Sequence, residues 1–384
     1  MRPRVILFFS NFFLATGAAL TVFVMLPFLS QFMAATSAGL VIAMGGVVAL
    51  AGFPILPRIV TRYGAQQIAL MCVLIELIAL LALAAVPGGI SGSLFVIVTL
   101  AMQPFAAYAL DVLFEAAMSD KAAAGQERTE FLTASNLGTL IAPLVLAAVL
   151  DGTNDYVRVF AAAGAIIIPF LVLLAVRTLP SGRVPRPSHM EDTLVCMVKD
   201  PDLGAVTFAH FLLYLFYAWA PLYSPIFLHS VLGIPWSTLG WMFAVTVTPY
   251  VLLEYPAGWL ADRFIGDKKL MYAGFVFAGA GLFLLGTLTS GSPIILILVI
   301  LVGSRIGTSL IESMTEGHFF RRVSEEDVNS ISVFRGIWPL ANIIGPVAGS
   351  LLLSFGDYHS LFISTGAFLL IAGVVTTSLI TDVR

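Results

Sequence analysis

Apolar residues run along this chain in stretches of twenty or more, interrupted by short clusters rich in Arg, Lys, Asp, Gly and Pro. Reading the stretches in order predicts spans at about 5–30, 37–57, 66–86, 92–118, 130–150, 156–177, 203–228, 237–260, 269–289, 293–319, 329–354 and 360–381. Each is long enough to cross a hydrocarbon layer of about 30 Å as a helix. The first follows Met1-Arg2-Pro3-Arg4 and exceeds the length of a signal-peptide core, so it is expected to stay attached as a span. Barrel strands alternate apolar and polar positions over about ten residues, and open sheet edges do not sit in lipid, so the pattern excludes strands. The expectation is an all-α membrane protein with twelve transmembrane helices.

Composition sharpens this picture. Of the 384 residues 59% are hydrophobic and 11% charged, against about 45–50% and about 25% in soluble domains; a soluble enzyme is excluded. The net charge of −3 is too small to imply a nucleic-acid partner. Cys72, in an apolar run, and Cys196, in a polar loop, read as free thiols. Of the 19 Lys and Arg residues, all but Arg158, Arg305 and Arg335 fall at the two termini or in alternate loops, on one side of a twelve-span chain. The positive-inside rule then places both termini in the cytoplasm. Short loops and the lack of an N-x-[ST] site point to a bacterial cytoplasmic (inner) membrane.

Residues 178–202 form the one long polar loop, in which Ser188 and Glu191 fit a capping box that would start a short surface helix; a plain linker fits as well. The loop divides the chain into a bundle of six spans over residues 1–178, a cytoplasmic loop over 179–202 and a second bundle over 203–384. The halves look duplicated. At a shift of 201 residues Thr61-Arg62 meets Asp262-Arg263, and Asp111 and Glu115 meet Glu312 and Glu316; close to that shift Ala142-Pro143 meets Gly345-Pro346.

The most specific motif is Pro256-Ala257-Gly258-Trp259-Leu260-Ala261-Asp262-Arg263-Phe264-Ile265-Gly266-Asp267-Lys268-Lys269 after span 8. It resembles the loop signature of the major facilitator superfamily, G-x-x-x-D-R-x-G-[RK]-[RK], with one extra residue before the second glycine. Gly258 would allow close helix approach, Asp262 and Arg263 would pair or cap neighbouring helix ends, and Gly266 would make the turn. The first half keeps a degenerate copy, Pro57-Arg58-Ile59-Val60-Thr61-Arg62-Tyr63-Gly64, in which Pro57 replaces the glycine and Thr61 the aspartate. The resemblance implies two pseudo-symmetric six-helix bundles that rock about a central cavity lined by spans 1, 4, 7 and 10, with the signature loops latching the cytoplasmic side. It also implies latch pairs near that side: Glu115 with Arg62 and Arg335, and Glu316 with Arg263.

Charges inside spans are costly and mark function or a paired network. In span 10, Arg305, Glu312 and Glu316 lie within about 20° of one line at 100° per residue, flanked by Thr308 and Ser309, so they form one polar stripe. Arg305 falls about 20 Å from either end of its span, with Glu312 about 10 Å nearer the cytoplasm. Arg305 reads either as an anchor for an anionic or polar substrate group or as half of a structural ion pair. Asp111 and Glu312 read either as proton carriers or as a second layer of the latch. Glu254, about 12 Å inside Asp262, is a candidate coupling or substrate residue; Glu76 reads as a structural hydrogen-bonding group, and His210 either as one or as a proton carrier. In span 7, Tyr214 and Trp219 offer a cavity wall or, as plainly, helix packing.

There is no phosphate-binding loop, metal cluster or nucleophile arrangement, so neither enzyme chemistry nor a cofactor is expected. The reading is a secondary active transporter that moves a small solute by alternating access, coupled to protons, as a monomer in the lipid bilayer. The alternative is a transporter-like sensor or scaffold without transport, against which buried charges near the midplane argue.

Overall fold

The computed structural model of the protein describes residues 3–86, 88–117, 124–179, 200–323 and 328–381. Every element among them is helical. The order is α1 (Pro3–Leu29), α2 (Ala35–Gly52), α3 (Leu56–Tyr63), α4 (Ala65–Ala85), α5 (Gly89–Ala117), α6 (Ala124–Leu150), α7 (Tyr156–Ala175), α8 (Pro201–Ile226), α9 (Trp236–Leu260), α10 (Asp267–Leu285), α11 (Ile294–Arg322), α12 (Val328–Phe355) and α13 (Tyr358–Leu379). Among the described residues, eleven of these carry a stretch long and apolar enough to cross a bilayer. The expected span 237–260 is present as α9, 25 residues long. The short surface helix expected around Ser188 and Glu191 lies outside the described residues.

One expected loop turned out to be helical. After α2 ends at Gly52, the segment around the degenerate signature folds into the eight-residue α3, started by Pro57 in its first turn, where a missing N–H costs nothing. Gly64 then turns the chain into α4 at φ +89° and ψ 142°. Its counterpart Gly266 has nearly the same conformation, φ +84° and ψ 155°, between α9 and α10. Positive φ of this kind is open to glycine at no steric cost. The approach to the two glycines differs. Gly64 closes an ordinary helical turn, its N–H donating to Val60 O at 2.8 Å, whereas Gly266 donates to Ala261 O, five residues back, at 3.0 Å. Residues Ala261–Ile265 form a π-helical turn. The extra residue in the second signature is absorbed as a one-residue bulge inside the helix.

The chain divides into two compact units, residues 1–186 with 234–244, and residues 187–233 with 245–384. In the first, α1 packs on α5, α6 and α7, and α4 packs on α5 and α7. In this unit Trp236 Nε1 donates to Asn154 Oδ1 at 3.1 Å, and Phe243 stacks on Phe23. In the second, α10 packs on α11 and α13, and α8 packs on α11, α12 and α13. Gly274 and Gly307 let α10 and α11 touch backbone to backbone: a Cβ on Gly274 would stand 2.8 Å from Gly307 O. In bilayers such close crossings supply the dispersion contacts that hydrophobic burial supplies in water. The close approach expected at Gly258 is not found, since a Cβ there would meet nothing within 4 Å among the described residues.

Candidate functional site

The second unit gathers several of the candidate residues on facing turns of α8, α9 and α11. Arg305 is buried, 8% exposed, and its guanidinium lies over the ring of Phe216 from α8, 4.7 Å from the centroid. Among the described residues it makes no ion pair and no side-chain hydrogen bond. Two turns along α11, Glu312 Oε2 accepts a 2.6 Å hydrogen bond from the Tyr217 hydroxyl. Between these levels, the Tyr250 hydroxyl of α9 and the Thr308 hydroxyl are 2.6 Å apart, and the Tyr250 ring meets that of Tyr217 edge-on, centroids 6.1 Å apart. Tyr250 also lies within electrostatic reach of both Arg305 and Glu312. The polar stripe of α11 is thus faced by aromatic rings that carry hydroxyls.

Local backbone chemistry holds this wall in place. Pro249 in α9 cannot donate to Val245 O, and the Thr248 hydroxyl takes up that carbonyl at 2.7 Å. Ser309 Oγ donates to Pro249 O at 3.4 Å, tying the kinked turn of α9 to α11. On the other side, Gly345 and Gly349 of α12 face Ala218 and Tyr223 of α8. The carbonyls of Gly345 and Pro346 accept from Trp219 Nε1 at 2.8 Å and from the Tyr223 hydroxyl at 3.2 Å. Trp219 is buried in this helix contact, and Tyr214 packs edge-on against His210 and Tyr217.

Other candidates stand apart. Arg263 is exposed and lies over Trp259 at 5.5 Å, and Arg62 is exposed over Tyr63 at 5.3 Å. Asp111 and Glu316 are half-buried. The side chains of Glu115, Glu254, Asp262 and Arg335 lie outside the described residues. His210 is fully buried, its Nδ1 2.9 Å from Thr315 Oγ1 and its ring stacked on Phe334 at 4.0 Å.

A second charged cluster, which sequence reasoning missed, joins four helix ends of the same unit. His318 near the end of α11 is fully buried between Asp202 of α8, 2.8 Å from Nε2, and Asp267 of α10, 3.3 Å from Nδ1. Arg321 pairs with Asp267 and Arg322 with Asp202, the latter at 3.1 Å; Thr381, just after α13, donates its N–H and hydroxyl to Asp202. A ring with a carboxylate at each nitrogen donates twice only as the imidazolium. In the sequence Asp202 and Asp267 look like ordinary first-turn acids of two helices, and nothing in their spacing points to one histidine between them.

The profile of the Major Facilitator Superfamily matches residues 206–384. No curated protein matches the chain in sequence. Among solved structures, one described as the nucleoside transporter NupG superposes with a TM-score of 0.78 at 15% identity, over 99% of each chain. A mutant form of the same transporter gives 0.78 at 13% identity, over 99% of this chain and 100% of that one. A bacterial homologue of the human lysosomal transporter Spinster, described as inward-facing and unoccupied, gives 0.73 at 14% identity, over 98% of this chain and 94% of that one. At such identities the likeness is one of fold.

Proposed function

We propose that this chain is a member of the major facilitator superfamily, whose profile matches residues 206–384, and a secondary transporter that moves a small solute with an anionic or polar group by alternating access, driven by protons. The observation that carries the reading is Arg305. A buried guanidinium over an aromatic ring, with no ion pair among the described residues, is costly in a membrane protein that only needs to fold. It is well suited to a ligand carboxylate or phosphate, which it would meet as a planar fork, while Phe216, Tyr217 and Tyr250 offer ring faces to an apolar body. Glu312, held by Tyr217 two turns away, is the coupling carboxyl in this reading. Substrate and proton would then act on one helix, α11, through neighbouring hydroxyls. Residues 1–178 and 203–384 are the two bundles that rock in this mechanism, with Arg62 and Glu115 in the first half, and Asp262, Arg263, Glu316 and Arg335 in the second, forming a cytoplasmic latch. The protein would work in a bacterial inner membrane with both termini inside.

The test is a thermal-stabilisation screen of the purified protein against mono- and dicarboxylates, phosphorylated metabolites, nucleosides and amphiphilic anions. A ligand at about 100 times its Kd adds about 2.7 kcal/mol to the folded state. An anionic compound that stabilises the wild type and not Arg305→Ala supports the reading; one that stabilises both equally removes Arg305 from the site.

A further inference from the structure

Glu76 lies at the middle of α4, about 16 Å from Ala65 and about 14 Å from Ala85. Its side chain is fully buried, 0% exposed. Oε1 accepts a 3.1 Å hydrogen bond from Gln103 Nε2 of α5, and Oε2 is buried without a hydrogen-bond partner. The same Gln103 Nε2 donates to Thr21 Oγ1 of α1 at 3.2 Å, and the Thr21 hydroxyl donates to Ala18 O at 2.9 Å. Both amide hydrogens are therefore used in one directional line that joins α4, α5 and α1. Gln103 is only half-buried, so the line runs from a closed carboxyl toward a more open side chain.

The surroundings decide the charge on Glu76. From its own helix it faces Cys72, a buried thiol one turn away. On α5 the other titratable residues are Tyr108, Asp111 and Glu115, about 7, about 12 and about 18 Å beyond Gln103 along the helix. Helix α7 carries only Tyr156 and Arg158, in its first turn, and the arginines of α3 lie before the start of α4, itself about 16 Å from Glu76 along the axis. No cation among the described residues faces the carboxyl. An ionised carboxylate has about four acceptor sites to fill, and here one donor is supplied. A bare charge in such a place costs far more than the single unmade hydrogen bond of a neutral acid. A metal ion suits the place poorly, because the group aimed at the carboxyl is an amide N–H, which a cation repels, and no group of three or more His, Cys, Asp or Glu is found among the described residues.

We propose that Glu76 is a proton-binding site of the first unit. The bound form is the neutral acid, with the Gln103 amide on its carbonyl oxygen and the proton on Oε2. Release breaks the Oε2–H bond and leaves the electron pair on that oxygen; the proton departs along the half-open Gln103 side. The new carboxylate then competes with Thr21 for the Gln103 amide, so the proton's departure loosens the tie between α1 and α5. The site belongs to the first unit, Arg305 and Glu312 to the second, and the proposal does not depend on their reading.

The test is infrared spectroscopy of the full chain in phosphatidylcholine vesicles, as a pH series in H2O and D2O, with Glu76→Gln as reference. The wild-type minus Glu76→Gln difference is expected to show a carboxylic-acid carbonyl band at neutral pH that shifts on deuteration and gives way to carboxylate bands as pH rises. Gln103→Leu removes the single donor to the carboxylate and should hold the proton about tenfold more tightly. Carboxylate bands at neutral pH would overturn the proposal. So would an acid band that persists until the fold melts, which marks a structural acid, loss of the band on adding sodium chloride in place of choline chloride, or an unshifted titration in Gln103→Leu. Thermal unfolding of both variants separates these results from misfolding.

Discussion

Replacing His318 with leucine should destabilise the second unit by a predictable amount. Leucine nearly conserves volume, so the loss is one of charge and hydrogen bonding with little cavity. The imidazolium gives one hydrogen bond to Asp202 and one to Asp267, both carboxylates almost fully buried. Hydrogen bonds to charged groups contribute about 1.5–3 kcal/mol each, so the two set an upper range of about 3–6 kcal/mol. The loss is softened because Arg321 and Arg322, with side chains 40% and 33% exposed, remain beside the two acids and adjust freely. Thr381 also still donates to Asp202. The expected cost is therefore about 3 kcal/mol, at the low end of breaking a buried pair.

Thermal unfolding in detergent, followed by tryptophan fluorescence, measures this. The gap between wild type and His318→Leu should be widest where the ring is doubly protonated and both carboxylates are ionised. It should narrow as rising pH strips one ring proton, and again as falling pH neutralises the acids. The triple variant Asp202→Asn, His318→Leu, Asp267→Asn removes the ions together and should recover most of the lost stability, because an uncharged site leaves no unpaired charge behind. Equal melting of His318→Leu and wild type across pH would refute the argument, and so would a triple variant as unstable as the single one.

Four further outcomes are expected. Arg305→Ala should lose ligand binding, whereas Glu312→Gln should bind normally yet fail to accumulate or expel solute under an imposed pH gradient, since the amide mimics a permanently protonated carboxyl; uptake assays with paired binding measurements check both. Asp262→Asn and Arg263→Ala should slow transport while expression and melting stay near wild type, as expected for a charge pair that biases a two-state equilibrium by about 1–3 kcal/mol. A cysteine at Ser188 should resist an impermeant thiol reagent applied outside intact cells, and reaction there would overturn the inside placement of the central loop. Asp357 caps α13 in a reciprocal box with Ser360, whose backbone N–H holds its carboxyl below the usual range. Asp357→Ala should cost about 1 kcal/mol, and since the folded carboxyl binds its proton more weakly than the unfolded one, that contribution is present at neutral pH and fades as pH falls through the acid range.

The helices were legible because lipid imposes one rule on the whole backbone. Every span must satisfy its own hydrogen bonds, so length and apolarity alone mark out α1 at Pro3–Leu29 against an expected 5–30, or α13 at Tyr358–Leu379 against 360–381. The α11 stripe was legible for a similar reason, since helical geometry fixes the angular relation of Arg305 and Glu312 before any neighbour is known. What faces the stripe was not. Tyr217 and Tyr250 come from two other helices, and their hydroxyls meet Glu312 and Thr308 only through the packing of α8 and α9 on α11. The His318 cluster was invisible for the same reason, as its two acids stand 65 residues apart in the chain, at Asp202 and Asp267, each in a position that a helix N-terminus alone explains.

The signature segment shows where a local reading falls short within a single helix. The sequence displays one residue too many between Arg263 and Gly266, compared with Arg62 and Gly64 in the first half. A loop would have absorbed it without trace. Both glycines nevertheless keep the same positive-φ turn, and the surplus is taken up one turn earlier, in the π segment Ala261–Ile265. That placement has a physical cause. The glycine turn must deliver Asp267 to the start of α10, where it meets His318 and Arg321, so the exit from α9 is fixed from the far side. A π turn adds a residue while keeping the helix continuous, and it rotates everything after it by about 100° relative to an unbulged helix. Arg62 and Arg263, which align in sequence, therefore stand in different helical settings, one in the ordinary turns of α3 and the other in a π turn. The duplicated segments share a glycine turn and differ in the helical turn that leads into it, so the two halves of the signature should respond unequally to the same substitution.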